Sequence, residues 1–242
     1  KESTEPLKVV VLTGAGISAE SGLKTFRDNN GLWENHSVQE VAMPEGFAQN
    51  PDLVYRFYNQ RRQQLLSSEV KPNAAHFALA KFEQSLGDNF LLVTQNVDNL
   101  HQQAGNQNVL HMHGELLSAR CVHSHQSIKI QDDLDKHSRC ECCQPSHALR
   151  PDIVWFGEMV PMLENAVDIV AQADILVIIG TSMQVYPAAS LIDYVPENTP
   201  IYFIDPKPAV NKSQFENLTI IEDVASAGTD KLIDLLNNVN VI

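Results

Sequence analysis

The sequence has no long apolar run and few basic residues. Its longest apolar runs, residues 9–12 and 175–179, are a fraction of the roughly 20 residues that a membrane-spanning helix needs. Lys and Arg number 17 against 30 Asp and Glu, which gives a net charge of −13. A negatively charged surface repels the phosphate backbone of nucleic acids and anionic lipid headgroups. We therefore expect no membrane and no nucleic-acid partner, whereas lysine-rich protein segments would be attracted.

Cysteine is scarce as well, and all four cysteines lie between Cys121 and Cys143. Such clustering is typical of a metal site rather than of a disulfide framework, which would spread its cysteines along the chain. Residues 1–6 are charged and polar and contain no apolar leader, so we expect a cytoplasmic protein.

Residues 121–150 combine these cysteines with four histidines and little apolar content, which predicts a small module stapled by metal. Cys140 and Cys143 form a C-x2-C pair, and Cys121 precedes it at zinc-knuckle spacing. We predict one structural zinc ion held by these three cysteines. The fourth ligand is left open between His123, His125 and Cys142, as is the possibility of an incomplete site.

Short apolar runs alternate with longer amphipathic stretches along the chain, which predicts a doubly wound, parallel, Rossmann-like α/β sheet. The predicted strands are residues 9–12, 90–93, 109–112, 175–179, 201–204 and 218–221. The predicted helices are residues 52–66, 74–85, 163–172, 187–194 and 229–237, with Asp52 as the N-cap of the first.

The first predicted strand runs directly into a glycine-rich turn in which Gly14, Gly16 and Ala19 match the G-x-G-x-x-A pattern of dinucleotide-binding proteins. Glycines allow the backbone to approach a pyrophosphate, and a helix beginning near Ser18 would direct N–H groups at it. Glu34 is the one candidate for the usual ribose-binding acid, but it follows no strand. The pattern therefore argues against an ordinary dehydrogenase.

Three further polar loops follow predicted strands: residues 94–98 (TQNVD), 111–115 (HMHGE) and 180–182 (GTS). The carboxyl ends of parallel strands share one edge, so these loops should line one crevice. Imidazole titrates near neutrality, which makes His113 a candidate general base. His111 lies two residues earlier and would point the same way in an extended strand, so geometry alone does not exclude it.

Taken in order, these motifs resemble the sirtuin family from about residue 9 to residue 230. The resemblance rests on GAGISAESG, residues 25–28 (TFRD) with 31–33 (GLW), TQNVD, HGE, the cysteine cluster, residues 154–158 (VWFGE) and GTS. Tyr58 and Arg61, at helical i, i+3 spacing, together with Ala42, resemble the acyl-pocket residues of the bacterial desuccinylase-type members.

The resemblance implies an enzyme that removes acetyl and succinyl groups from protein lysines while consuming NAD, releasing nicotinamide and O-acyl-ADP-ribose. It implies acylated-lysine proteins as substrates, and we expect a monomer. The alternatives are an NAD-sensing regulatory module and a protein mono-ADP-ribosyltransferase.

The same resemblance assigns roles to individual residues. The His-Gly pair selects His113 as the general base. The implied NAD-binding residues are Gly14, Ala15, Gly16, Ile17, Ser18, Glu20, Phe26, Arg27, Trp33, Gln95, Asn96, Val97, Asp98, Gly180, Thr181, Ser182, Asp205, Pro206, Lys207 and Ala225. The implied acyl-substrate residues are Ala42, Tyr58, Arg61, Val154, Phe156 and Gly157. Cys121, Cys140 and Cys143 are the implied zinc ligands.

The resemblance also implies that residues 1–242 form one catalytic domain. Residues 1–33, 86–118 and 151–242 would make its Rossmann-like, NAD-binding part. Residues 34–85 would make a helical module, and residues 119–150 the small zinc-binding module.

Overall fold

A computed structural model describes residues 5–24 and 32–239 of the 242-residue chain. The strands are β1 (Val9–Thr13), β2 (Phe90–Thr94), β3 (Val109–His111), β4 (Gly114–Cys121), β5 (Ser127–Lys129), β6 (Leu149–Ile153), β7 (Ile175–Ile179), β8 (Ile201–Ile204) and β9 (Leu218–Ile221). The α-helices are α1 (Val38–Val41), α2 (Pro44–Gln49), α3 (Pro51–Leu66), α4 (Ala74–Leu86), α5 (Leu100–Ala104), α6 (Leu163–Val170) and α7 (Ala225–Asn238). Within the described ranges no helix has the length and apolarity to cross a membrane.

Six strands form a parallel sheet in the order β3-β2-β1-β7-β8-β9. The chain winds outward from β1 in one direction and from β7 in the other, so the order reverses between these two neighbours. The doubly wound α/β prediction is confirmed. Ligands in such sheets bind at the carboxyl ends of the strands beside the reversal, and this position fixes where the site must lie.

Both faces of the sheet are covered, and successive strand residues serve opposite cores. Val9 and Val11 of β1 pack with α4 and α7, whereas Val10 and Leu12 pack with α6 and the 3-10 helix Ala188–Tyr194. This alternation follows from the two-residue period of a strand. Burial on both sides explains why the strands are almost continuously apolar in sequence.

A smaller antiparallel sheet has the order β5-β4-β6; β4 ends at Cys121, and the other three cysteines lie in the segment between β5 and β6. Its core is small and includes Tyr55 of α3, whose hydroxyl donates to the Leu149 carbonyl oxygen at 2.7 Å. This sheet begins at Gly114, inside the range assigned above to the Rossmann-like part. The proposed boundaries between the three parts stay a prediction.

Some helix ends differ from the sequence prediction. Asn50, not Asp52, caps α3, because its side chain accepts from Leu53 N at 3.2 Å while Pro51 already occupies the first turn. The segment after β1, Ala15–Ser21, is a 3-10 helix. Helix α7 begins at residue 225 rather than 229, because the distant Glu20 carboxylate accepts from Ser226 N at 3.0 Å and satisfies a free N–H at the helix start.

Candidate active site

A cavity of about 500 Å³ lies at the carboxyl ends of β1, β2 and β7, beside the reversal of strand order. Loops that follow these three strands line it, together with parts of the helical module and the segment after β6. The predicted site residues that line the cavity are Gly14, Ala15, Gly16, Ser18, Trp33, Ala42, Arg61, Gln95, Asn96, Val97, Asp98, His113, Val154, Phe156, Gly157, Gly180, Thr181 and Ser182. The structure therefore brings the NAD-type loops, the candidate base and all the predicted acyl-pocket residues except Tyr58 around one space.

Other predicted residues lie elsewhere. Phe26 and Arg27 fall outside the described residues. Ile17 is fully buried in the core beneath the glycine-rich loop. Five further residues predicted to bind NAD do not line this cavity: Glu20 in the 3-10 helix after β1, Asp205, Pro206 and Lys207 after β8, and Ala225 at the start of α7. Their role in binding NAD stays a prediction.

The glycine-rich loop packs backbone against backbone on the loop after β7. Gly16 N donates to the Gly180 carbonyl oxygen at 2.8 Å, and Gly14 N donates to Ile179 O at 3.0 Å. A Cβ on Gly16 would lie 2.7 Å from Gly180 Cα, too close for any side chain. Gly180 itself has φ +69°, in the left-handed region. These glycines are thus needed for loop contact, and the contact fixes the shape of the loop that faces the cavity.

Behind this loop, a buried hydrogen-bond network joins it to the loop after β2. Ser18 Oγ donates to Asp98 Oδ2 at 2.8 Å, and Asn96 Nδ2 donates to the Gly14 carbonyl oxygen at 3.1 Å. Burial raises the pKa of Asp98, although hydrogen bonds from Leu100 N and from Ser18 oppose that shift. The network fixes amide and carboxyl groups at the cavity wall, where they could bind a carboxamide and a ribose.

Two fully buried histidines support that network and were not foreseen from the sequence. His76 lies 3.5 Å from Ser18 Oγ through Nε2 and accepts from Asn73 N at 3.1 Å through Nδ1. His101 Nε2 lies 2.9 Å from Thr13 Oγ1. Burial lowers the pKa of His76 to about 4 and that of His101 well below its usual value, so both rings are neutral. The one local signal was the position of His76 three residues after the helix cap Asn73.

The structure separates the two candidate bases. The chain leaves β3 at His111 and turns at residues 112–113, so the two side chains do not share an extended strand. His113 lines the cavity, whereas His111 is bonded away from it, through Nδ1 to Asn96 O at 2.9 Å and through Nε2 to Gln102 Nε2 at 2.7 Å. Burial lowers the pKa of His113, and a hydrogen bond with the Gln95 backbone partly opposes this shift. A neutral imidazole in the cavity is suited to accept a proton.

The loop after β6, which also lines the cavity, is held by a partly buried ion pair. Arg150 binds Glu158 through two hydrogen bonds of 2.8 and 2.9 Å, and its guanidinium lies 3.6 Å from the centre of the Trp155 ring. Burial opposes ionisation of Glu158, but hydrogen bonds from Arg150 and from Trp155 N together lower its pKa. Phe156 N donates to Ala42 O at 2.9 Å, which fixes this loop against the helical module.

The predicted acyl-pocket pair is divided. Arg61 lines the cavity, and burial lowers its pKa. The Tyr58 side chain is fully buried and does not line the cavity; its hydroxyl donates to Val41 O at 2.7 Å and accepts from Trp155 Nε1 at 2.9 Å. The i, i+3 spacing places both residues on one side of α3, but the Tyr58 hydroxyl is hydrogen-bonded to Val41 O and Trp155 Nε1 in the core. The convergence of Tyr58 and Arg61 on one carboxylate stays a prediction.

Several residues that line the cavity carried no signal in the sequence. Val38, Gln64 and Leu116 come from α1, α3 and β4 and belong to none of the motifs, and Tyr186 comes from the segment after β7. Glu34, considered above as a ribose ligand, lines the cavity beside Arg61.

The four cysteine sulfur atoms lie within 4.8 Å of one another, and Cys142 is the fourth member of the cluster. Tetrahedral zinc with Zn–S bonds of about 2.3 Å places its sulfur ligands roughly 3.8 Å apart. The distances of 3.9 Å from Cys121 to Cys143 and 3.7 Å from Cys142 to Cys143 fit this geometry. Backbone N–H groups of His123 and Ser124 point at Cys121 Sγ at 3.4 Å, as a thiolate requires. These four cysteines fit a structural zinc ion, with Cys142 as the fourth ligand that the sequence left open.

The histidines that were alternatives to Cys142 do not belong to this cluster. His123 is exposed and stacks on His147, with ring centres 4.3 Å apart.

We expect Cys142→Ser to reduce bound zinc to well under one ion per chain and to lower the unfolding temperature, because structural zinc contributes directly to folding free energy. Metal analysis of protein purified without chelator measures this. His123→Ala should keep one zinc ion per chain. If His123→Ala lost the zinc and Cys142→Ser kept it, Cys142 would be excluded as a ligand.

Comparisons with known proteins agree with this geometry. The sequence model of the Sir2 family matches residues 14–187. The chain is 59% identical over 189 residues to an NAD-dependent protein deacylase of Pasteurella multocida, covering 78% of this chain and 81% of that protein. It is 57% identical over 191 residues to an NAD-dependent protein deacylase of Salmonella typhimurium, covering 79% of this chain and 70% of that protein. A solved Sir2 homologue in complex with NAD superposes with a TM-score of 0.82 at 36% identity, over 96% of this chain and 90% of that one.

Proposed function

The chain belongs to the Sir2 family and is an NAD-dependent protein deacylase, and from this premise we propose that it removes both acetyl and succinyl groups from lysine side chains. The observation that carries the proposal is the content of one cavity. Its walls include the glycine-rich loop, the loop after β2, His113 and the guanidinium of Arg61. An acyl-lysine entering this space would have NAD-binding groups on one side and a cation beyond its acyl carbon.

When bound, NAD would supply a ribose to which the acyl group is transferred as nicotinamide leaves. With one water consumed to release the lysine amine, the proposed products are nicotinamide, O-acyl-ADP-ribose and a free lysine. Asn96 and Asp98, fixed by their bonds to the glycine-rich loop, would hold the nicotinamide carboxamide and ribose. His113 would accept a proton from a ribose hydroxyl as general base, because burial keeps its imidazole neutral. The loop held by Arg150 and Glu158 would position the lysine chain through Val154, Phe156 and Gly157.

The charge of the chain supports protein substrates. With a net charge of −13, the molecule attracts lysine-rich segments and repels nucleic acid. The cysteine cluster packs against the smaller sheet, and its proposed role is to fold that module rather than to enter the chemistry. The monomeric state and the cytoplasmic location stay predictions.

We expect Arg61→Met to reduce kcat/KM for desuccinylation by roughly ten- to a hundredfold while deacetylation changes by a few-fold at most. A succinyl group ends in a carboxylate, which loses water on entering the cavity and needs a charged partner. Losing a partner to a charged group costs about 1.5–3 kcal/mol. Methionine keeps an apolar stem of similar length, so an acetyl group should be little affected. The measurement is kcat/KM on peptides of one sequence that carry acetyl- or succinyl-lysine.

The identity of the products tests the activity itself. Mass spectrometry after incubation of NAD with each peptide should detect free nicotinamide and the matching acyl-ADP-ribose. An equal loss on both peptides in Arg61→Met would mean that Arg61 supports helix α3 and does not recognise the acyl carboxylate. ADP-ribosylated peptide without deacylation would instead assign the chain to the transferase class.

A further inference from the structure

The guanidinium that faces the acyl end of the cavity already has a carboxylate beside it. Arg61 Nη1 lies 3.4 Å from Glu34 Oε2, and the two side chains are 15% and 19% exposed. Arg61 Nε is buried and has no hydrogen-bond partner among the described residues. The apolar side chains of Val38 and Ala42 line the same cavity. Among the described residues, Glu34 is the acidic side chain that forms an ion pair with Arg61.

The backbone holds Glu34 in position. Trp33 and His36 exchange two hydrogen bonds, Trp33 N to His36 O at 2.9 Å and His36 N to Trp33 O at 3.0 Å, which close a two-residue turn. Both turn residues, Glu34 and Asn35, have positive φ, +46° and +66°, as a type I′ turn requires. The Trp33 ring packs edge-on against Phe57 of α3 at 5.0 Å, and this contact anchors the turn to the helix that carries Arg61.

We propose that Glu34 is a specificity-determining residue, whose carboxylate pairs with Arg61 when the acyl chain is uncharged and competes with the carboxylate of an acidic acyl chain. This inference rests on the proposed function, because it takes Arg61 as the group that recognises a succinyl carboxylate. It gives Glu34 a role different from the ribose contact considered from the sequence.

The physical consequence differs between the two substrates. An acetyl group leaves Arg61 without a ligand, and a half-buried guanidinium is costly unless an anion stays beside it. Glu34 supplies that anion, so it favours deacetylation. A succinyl carboxylate must displace Glu34 or stand next to it, and two carboxylates around one guanidinium repel each other. Glu34 therefore disfavours desuccinylation, and the pair sets the balance between the two activities.

Glu34→Gln tests this proposal, because glutamine keeps the size of the side chain and removes its charge. We expect the ratio of kcat/KM for succinyl-lysine over acetyl-lysine peptide to rise about tenfold, through a gain on succinyl and a loss on acetyl. Binding of a slowly reacting thiosuccinyl-lysine peptide, measured calorimetrically without turnover, should tighten in the same direction. An unchanged ratio, or an equal loss on both peptides, would overturn the proposal.

Two comparisons make the result specific. Glu69→Gln removes the same charge from an exposed position outside the cavity and should leave the ratio within twofold of the parent. In an Arg61→Met background, Glu34→Gln should no longer change the ratio; a persisting change would show that Glu34 does not act through Arg61 and would overturn the proposal. Arg61→Met alone distinguishes the two failures. If it spares acetyl and impairs succinyl while Glu34→Gln has no effect, only the role of Glu34 is refuted.

Discussion

Replacing His113 with alanine is expected to lower kcat/KM for deacylation by about two to four orders of magnitude, with NAD binding largely preserved. His113 is the imidazole that lines the cavity, close in sequence to the β4 start at Gly114, where no side chain crowds the substrate. Removing a general base leaves the binding groups of the glycine-rich loop in place, so the loss should appear in the chemical step. Steady-state kinetics and calorimetric NAD binding on the same preparation measure the two parts separately.

His111→Ala is the matched control, since it removes a second imidazole two residues away. His111 is bonded to Asn96 O and Gln102, so its loss should disturb NAD binding more than chemistry. If His113→Ala retained kcat/KM within tenfold of the parent, His113 would have no part in proton transfer.

The pH dependence follows from the same burial. A base must be neutral, and burial lowers the pKa of His113 below its ordinary value of about 6.5. The enzyme should therefore keep its kcat/KM as the pH falls through 6.5 and lose it only at more acid pH. A profile of kcat/KM against pH on acetyl peptide measures this, because that ratio reports the free enzyme. An acid limb that begins above pH 7 would contradict the assignment.

The sheet was predictable because its strands are buried on both faces. The run at 175–179 has no polar interruption, and its predicted bounds match β7. Helix ends were less predictable where a distant residue decides them. Glu20 is separated from Ser226 by 206 positions, yet its carboxylate binds the start of α7, and no local pattern could reveal that bond.

The site divides in the same way. Loops that follow strands directly could be placed from sequence, since parallel strands deliver their ends to one edge. Side chains that reach the cavity from the helical module could not all be placed. Tyr58 lies on the predicted side of α3, but Val41 O and Trp155 bind its hydroxyl. Cys142 was ambiguous because it adjoins Cys143, and only the folded loop shows that both sulfur atoms turn to one centre.

Gly180→Ala is expected to lower kcat/KM for NAD by about a hundredfold and to destabilise the fold by roughly 3 kcal/mol or more. Left-handed backbone costs about 1–2 kcal/mol for a residue with a Cβ, and Gly180 has φ +69°. The added Cβ would also collide with Ile17 N and lie 2.7 Å from Gly16 C, within the loop contact itself. Overpacking of this kind typically costs 1–3 kcal/mol. Relief requires the two loops to separate by about 1 Å, a displacement that can cost a hundredfold in rate.

Gly22→Ala separates the contact from the backbone conformation. Gly22 also has positive φ, +93°, but a Cβ there would meet nothing within 4 Å. We expect this variant to lose only about 1–2 kcal/mol and to keep the KM of the parent for NAD. Urea unfolding and steady-state kinetics on both variants measure the difference. Both variants carry the conformational cost of a Cβ at positive φ, but only Gly180→Ala disturbs the contact between the two loops. Equal KM values for NAD in the two variants would mean that the contact between Gly16 and Gly180 does not shape the NAD site.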